Sequence, residues 1–419
     1  MKIAIVSEYN KFSSTGGTEN YVDFLINGLL NNDHEVLFVT LGSSNLKSLE
    51  QTVFTAENKA YKLFLVKRSL FNSKEIKQKN ISNTWSDIYP KLMEFSPHSI
   101  HVHTLSTFFN IKHIEICKKS FKNIVLTSHI PAHFCPTGQM IKYGKTPCNG
   151  KLANQCDLCL IKSDFNNIIS GIYRNKRLIK YKLIQTLQKL EIQMICVSDW
   201  QKNQLLLNGF PFENISVIRQ VFIPKIDDKK YSLLNKESNH VLTIGYLGRL
   251  SKEKGIDLLF HVLNHYKNDI NTHFRIAIPK GVNSLELNIL KVLAENNNNI
   301  VIDYSINEST KSSFFSMIDF LFIPSFFIET GPIVLLEGVY FQITVLAPNI
   351  GGPLEFSMQY PEYVKCYEWN NIKSVISNIE FLRINENFNK RKKYNFDNEF
   401  KNFIEPHVKV YEKLMNRLL

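Results

Sequence analysis

The sequence contains no uninterrupted apolar run approaching the roughly 20 residues a membrane-spanning helix needs. Its first ten residues, MKIAIVSEYN, carry one lysine and a short apolar run before turning polar. That is not the form of a secretory signal, and the segment reads as a first β-strand. A cytoplasmic location, at most peripheral to the inner face of the cell membrane, is therefore expected, with thiols kept reduced. No G-x-G-x-x-G follows the first strand, which disfavours a nicotinamide-dependent dehydrogenase. No nucleic-acid-binding domain signature accompanies the basic charge, so nucleic acid is not expected as a partner. At 44% hydrophobic and 21% charged residues, the composition sets aside disordered and fibrous classes.

A chain of 419 residues exceeds what one hydrophobic core usually serves, so two domains are expected. The formal charge of +12, from 50 basic and 38 acidic residues, suits nucleic acid, anionic lipid or a phosphorylated small molecule as partner. Between Gly171 and Leu190 stand Arg174, Lys176, Arg177, Lys180, Lys182 and Lys189, with no acidic residue. Apolar residues such as Ile172, Ile179, Leu183 and Leu187 are interleaved, giving a basic amphipathic helix. Such a helix either covers a core or rests on an anionic membrane surface, where each basic residue contributes about 1 kcal/mol. The run Lys390-Arg391-Lys392-Lys393 reads as a solvated loop.

Short β-branched runs alternate with segments of helical period, the pattern of a parallel-sheet α/β protein. Ile3–Val6 is followed by a glycine-bearing loop and then by Val22, Leu25, Ile26, Leu29 and Leu30 at helical spacing. Val36–Thr40 and residues 61–66, 99–104, 123–128 and 194–198 continue the first series. A second series starts at 241–248 and runs through 273–279, 299–303, 319–324 and 343–347. The boundary falls between Arg219 and Asn239, where Pro224 and Asp227–Lys230 mark a polar connection. The expected domains are 1–220, carrying a cysteine-bearing insertion at about 130–162, and 221–419, whose last helix is free to pack back on the first domain. Two such doubly wound domains would offer ligand sites at the carboxyl ends of their strands, in a crevice between them.

Four segments carry anion- and hydroxyl-binding chemistry. Gly16-Gly17-Thr18-Glu19 allows close backbone approach at a helix start, which favours an anion. Gly248-Arg249-Leu250-Ser251-Lys252-Glu253-Lys254-Gly255 sets Arg249 and Lys254 between a strand's carboxyl end and a helix, where a diphosphate would lie. Pro324-Ser325 leads to Glu329-Thr330-Gly331-Pro332-Ile333 and, after an apolar run, Glu337. That spacing suits a loop acid and a second acid two turns into a helix, with Pro332 in its first turn. The bland alternative is an amphipathic helix bearing two exposed acids. Gly351-Gly352-Pro353-Leu354-Glu355 forms a turn after strand Val345–Ala347.

In order and spacing these segments resemble glycosyltransferase family 4, retaining enzymes of the GT-B fold, two Rossmann-like domains facing a cleft. CVSDWQKNQLLLNGFP (196–211) is similar to that family's linking part, and the resemblance runs from Ile3 to about Tyr411. It implies a sugar transferase that takes a nucleoside diphosphate sugar as donor and a glycan or lipid-linked molecule as acceptor, as in bacterial surface-polysaccharide assembly. Arg249 and Lys254 would hold the diphosphate, Glu329 the sugar hydroxyls and Glu337 the ribose. Gly17, Gly331, Pro332 and Ile333 would approach the donor, and His129 would face its sugar. No cofactor is required, because the cationic side chains do the work of a divalent ion. The leaving phosphate itself would accept the acceptor's proton.

The sequence departs from the family pattern in several places. Gly331-Pro332 replaces the usual phenylalanine-glycine, and EGVYFQITV (337–345) lacks the usual alanine, glycine and proline. Arg219-Gln220 replaces an asparagine-glycine, and Ile276–Pro279 lacks a glycine-rich turn. Donor base and sugar are thereby left open, as is the alternative of an inactive relative that binds a nucleotide or glycan without turnover.

Four of the seven cysteines, Cys135, Cys148, Cys156 and Cys159, fall in one stretch rich in Gly, Asn and Pro. Two separated cysteines followed by C-x2-C suit a tetrahedral thiolate zinc site; free thiols or disulfides are the alternatives. Residues 129–150 also resemble a cysteine-bearing variant of some family members, and the insertion would shape the acceptor side.

Overall fold

Apolar runs buried on both faces build two separate sheets; in the first strand Ile3, Ala4, Ile5 and Val6 are all fully buried. The computed structural model describes residues 1–10, 16–42, 47–55, 57–67, 85–106, 108–163, 170–222, 241–279, 284–306, 308–384 and 399–416. The polar connection at Pro224 and Asp227–Lys230 and the run Lys390–Lys393 lie outside them. The chain divides into two compact units: Met1–Val221 with Asn398–Leu419, and Phe222–Asp397.

Unit 1 runs β1 (Lys2–Ser7), α1 (Gly17–Asn31), β2 (Glu35–Leu41), β3 (Leu49–Phe54), β4 (Ala60–Val66), α2 (Trp85–Phe95), β5 (Ser99–His103), α3 (Ile111–Ser120) and β6 (Ile124–Ser128). A small hairpin, β7 (Ile141–Lys142) and β8 (Thr146–Pro147), precedes α4 (Gln155–Ser163), α5 (Ser170–Lys189), β9 (Gln193–Cys196), α6 (Asp199–Leu207) and β10 (Ile215–Val217). The strand order is β10-β9-β6-β5-β1-β2-β4-β3, parallel except for the antiparallel edge pair β3–β4. The basic stretch does form a helix, α5. Its stripe Leu183, Ile184 and Leu187 is buried in the core, while Lys182 and Lys189 face solvent.

Unit 2 runs β11 (Leu242–Leu247), α7 (Ile256–His265), β12 (Thr272–Pro279), α8 (Leu285–Glu295), β13 (Ile300–Ile306), α9 (Glu308–Ser316) and β14 (Phe320–Phe322). It continues with α10 (Ile333–Tyr340), β15 (Thr344–Pro348), α11 (Gly352–Gln359), β16 (Val364–Tyr367) and α12 (Ile372–Ile384). All its strands are parallel, in the order β13-β12-β11-β14-β15-β16. Numbered within the unit, that is 3-2-1-4-5-6, the dinucleotide-binding arrangement, whose strand order reverses between β11 and β14. Leu259 of α7, Leu290 of α8 and Ile379 of α12 pack on one face of the sheet. Phe315 of α9, Leu336 of α10 and Phe356 of α11 pack on the other.

The final helix, α13 (Glu399–Asn416), belongs to unit 1 although it follows unit 2 in the chain. It lies against α1, where Gly28 leaves room for Ile404, and it buries Phe403, His407 and Tyr411. The Tyr21 hydroxyl is 2.8 Å from His407 Nε2, and Tyr411 is 2.6 Å from His101 Nδ1.

Candidate functional site

Ligands of doubly wound sheets bind outside the carboxyl ends of the strands, where the strand order reverses. In unit 2 the two loops leaving that point are the one after β11, containing Arg249 and Lys254, and the one after β14, containing Ser325 and Glu329. Their backbones are laced together. The Phe326 and Phe327 amides both donate to the Glu253 carbonyl, at 3.0 and 3.1 Å. After the short 3-10 turn Lys252–Lys254, Gly255 adopts a left-handed φ of 75°, and a Cβ there would stand 1.8 Å from the Pro324 carbonyl oxygen. Only glycine serves at that crossing.

The side chains then converge on one carboxylate. Lys254 Nζ donates to Glu329 Oε1 at 2.8 Å, and the Ser325 hydroxyl donates to the same oxygen at 2.5 Å. Lys254 Nζ also stands 4.9 Å from the centre of the Phe327 ring. The Glu329 side chain is only 8% exposed, against 25% for Lys254. From below, the Gly352 amide donates to the Glu329 carbonyl at 2.8 Å, which locks the Gly351-Gly352 turn against this loop. Gly351 itself has a φ of 67°, and a Cβ there would press on that same carbonyl oxygen at 2.6 Å. Tyr246 donates to the Arg249 carbonyl at 2.7 Å. Burial first, and then the nearby Glu329 charge, hold its hydroxyl well above the usual phenol range, while Arg249 opposes the shift. The Arg249 side chain is exposed. Three of the four segments singled out in the sequence thus meet around Glu329.

Glu337 is held separately: Lys311 Nζ of α9 contacts its Oε1 at 2.6 Å, with the two side chains 16% and 4% exposed. Glu337 is the fifth residue of α10, one turn in and not two. Pro332, with an extended ψ of 117°, stands outside the helix as its cap, so the helix starts at Ile333. Neither acid is an exposed residue of an amphipathic helix, since both are buried. The first amides of α10, beyond Gly331 and Pro332, lack helical acceptors and favour an anion. Lys311 has no local sequence signal, because it reaches Glu337 from another helix.

In unit 1, Gly17 opens α1 and Gly16 caps it in an extended conformation. Glu19 folds back over that cap, and one of its carboxylate oxygens lies 2.5 Å from where a Gly16 Cβ would stand. His129, just past β6, is buried within a histidine cluster that the sequence reading did not find. Its Nε2 is 3.0 Å from His103 Nδ1, the two rings are stacked at 23°, and Tyr21 packs edge-on at 4.7 Å. Burial, with smaller contributions from His133 and His407, pushes His129 down to about 3, so its imidazole is neutral at physiological pH. One signal for the cluster is visible in the sequence: His101 and His103 alternate along β5 and so share a face.

The four cysteines of the insertion line one pocket. Among the described residues no helix is long and apolar enough to cross a membrane.

A family model described as Glycosyl transferases group 1 matches residues 227–395, and one described as Glycosyltransferase Family 4 matches residues 15–220. No curated protein matches the sequence significantly. Sucrose-phosphate synthase from Thermosynechococcus elongatus superposes over 100% of this chain and 97% of its own, with a TM-score of 0.67 at 14% identity. Anabaena HepE, solved with UDP-glucose, covers 100% and 99% at TM-score 0.60 and 11% identity. WaaG, a glycosyltransferase involved in lipopolysaccharide biosynthesis, covers 99% and 98% at 0.58 and 11%. At such identities the likeness is one of fold. Two Rossmann-like units, each matched by a glycosyltransferase model, make this protein a nucleotide-sugar-dependent glycosyltransferase of the GT-B fold. The chain belongs to glycosyltransferase family 4.

Proposed function

We propose that the protein is a retaining glycosyltransferase that moves a sugar from a nucleoside diphosphate sugar to a glycan or lipid-linked acceptor in surface-polysaccharide assembly. The observation that carries this reading is the convergence of Lys254 and Ser325 on the buried Glu329 at the reversal point of the unit 2 sheet. A leaving diphosphate gains negative charge as the sugar becomes oxocarbenium-like. Lys254, the exposed Arg249 and the first amides of α10 supply positive potential for it, and Gly17 lets backbone approach the phosphates. Glu329 accepts from sugar hydroxyls and Glu337 from the ribose. His129, neutral, orients as a hydrogen-bonding imidazole and carries no charge into the reaction. The leaving phosphate oxygen takes the acceptor's proton, so the new bond forms on the face the leaving group departs. The lipopolysaccharide role of WaaG and the UDP-glucose held by HepE support acceptor and donor class at the level of analogy.

Two measurements test the assignment. Glu337→Ala is expected to weaken binding of the free nucleoside diphosphate and raise KM, because the ribose contact is present in ground state and transition state alike. Glu329→Ala is expected to keep nucleotide binding and lose kcat. Calorimetric titration beside steady-state kinetics, both in excess chelator, reads the difference; loss of nucleotide binding in Glu329→Ala alone would reverse the roles. Loss of turnover in chelator would remove the claim that side chains suffice for the diphosphate. The same reading places the outward lysines of α5, Lys182 and Lys189, against an anionic membrane surface. Lys182→Glu with Lys189→Glu is expected to reduce co-sedimentation with phosphatidylserine vesicles; unchanged binding would remove that contact.

A further inference from the structure

The insertion between His129 and α5 carries chemistry that the transfer reaction does not use. Cys135, Cys148, Cys156 and Cys159 all face one pocket of about 20 Å³, space for one water-sized atom or ion. Each comes from a tight local element. Cys135 opens the turn Cys135-Pro136-Thr137-Gly138, closed by the Gly138 amide on the Cys135 carbonyl at 3.1 Å. Cys148 directly follows β8, and its own amide donates to Met140 at 2.8 Å. Cys156 and Cys159 are one turn apart at the start of α4, on one face, where the helix dipole favours a thiolate.

Backbone donors already point at two of the sulfurs. The Tyr143 amide donates to Cys159 Sγ at 3.3 Å and the Gly150 amide to Cys148 Sγ at 3.4 Å. Such N–H···S contacts stabilise thiolates. All four cysteines are free of disulfides. Positive charge is also close at hand: Lys142 lines the pocket, and the largely withdrawn Lys180 of α5 interacts with Cys135. The element is braced from outside as well, with Arg177 donating to Asp157 at 3.0 Å and to Asn154 at 2.6 Å.

We infer that Cys135, Cys148, Cys156 and Cys159 bind one structural Zn²⁺ as a tetrahedral thiolate site that fixes this insertion. Among the described residues no group of His, Cys, Asp or Glu stands preformed for a metal. The sulfurs instead lean on neighbours: Cys135 Sγ on Thr137 Oγ1 at 3.2 Å, and the Cys159 thiol on the Ile141 carbonyl at 3.4 Å. Binding exchanges those contacts for four Zn–S bonds of about 2.3 Å and releases four protons to solvent. No oxidant or reductant takes part. The resulting cluster carries a net charge of about −2, which Lys142 and Lys180 offset.

The experiment uses the full chain purified without chelator. Elemental analysis is expected to find about one zinc per chain, and a mercurial to release that zinc as it reacts with Cys135, Cys148, Cys156 and Cys159. Exchange for Co²⁺ is expected to give the intense visible bands of a tetrahedral cobalt thiolate. Cys156→Ser is expected to lose the zinc. If that variant does not fold, the cobalt spectrum of the unaltered protein still decides. Zinc well below one equivalent with no cobalt spectrum, or a disulfide between any of the four by mass spectrometry, overturns the site. Neither outcome touches the donor-binding proposal, which rests on unit 2.

Discussion

Lys254→Ala and Arg249→Ala are each expected to lose about 2–4 kcal/mol of transition-state stabilisation, roughly a 30- to 1000-fold fall in kcat/KM. The prediction follows from placing both cations at the reversal point of the unit 2 sheet, with the leaving diphosphate between them. The structure separates the two variants by their effect on folding. Arg249 is exposed, so its loss is expected to leave the thermal midpoint unchanged. Lys254 partners a nearly buried carboxylate, and its removal leaves Glu329 with the Ser325 hydroxyl. That costs about 1–3 kcal/mol of stability, reduced from the fully buried case because Lys254 still touches solvent. Adding Glu329→Gln to Lys254→Ala is therefore expected to recover stability without recovering rate. Near-wild-type turnover in either single variant would remove the diphosphate assignment.

Unit 1 is expected to lose a large share of its stability between pH 6.5 and 5. His129 and His133 are pushed down to about 3, and His407 to about 4, in each case chiefly by burial. His101 and His103 are also lowered well below the ordinary imidazole range, first by burial and then by neighbouring imidazoles, His407 and His129 for His101 and His101 foremost for His103. Facing them are Tyr21 of α1, Thr127 and Ser128 of β6, Tyr411 of α13 and, near His133, Lys180 of α5. No carboxylate of the described residues is among these contacts, and the backbone carbonyls of Ile130 and Phe403, which favour the protonated rings of His133 and His407, are outweighed by burial. Well above pH 6.5 both the folded and unfolded chains hold neutral imidazoles, and the cluster has no pH dependence. Below it the unfolded chain takes up protons that the folded chain refuses, so stability falls as pH falls. For His129, His133 and His407 this amounts at pH 5 to about 2 kcal/mol each, a large share of the 5–15 kcal/mol that typically holds a domain. Urea unfolding at pH 7.5 and 5, followed by hydrogen exchange within residues 1–221, would reveal it. A midpoint indifferent to pH over that range would refute the neutral cluster.

Much of the fold was legible because parallel strands buried on both faces leave long apolar runs, as Ile3–Val6 and Leu242–Leu247 do. The edge hairpin β3–β4 was harder to see, since Leu49–Phe54 is mostly exposed and carries no such run. At the site, the sequence showed which residues bear charge but not which charges meet. Lys254 lies 75 positions from Glu329, and Lys311 lies 26 from Glu337. Spacing alone left open whether those acids were exposed. It also put Glu337 a turn too deep, because a proline that fits a first helical turn here stands outside it. The five histidines of the cluster come from β5, the segment after β6 and α13, and only the pair on β5 has a local pattern.

The placement of α13 has a consequence for how the protein is made. Tyr21, His101 and His407 share one buried network, yet His407 leaves the ribosome only after all of unit 2. At ordinary synthesis rates of about 5–20 residues per second, the nascent unit 1 waits on the order of ten seconds or more with that face uncovered. The half of the protein translated first is therefore the half completed last, while Phe222–Asp397 has its own sheet and core to fold on emergence. A chain interrupted before residue 399 would leave Tyr21 and Gly28 of α1 and His101 of β5 without their α13 partners, even where every residue of the first sheet is present.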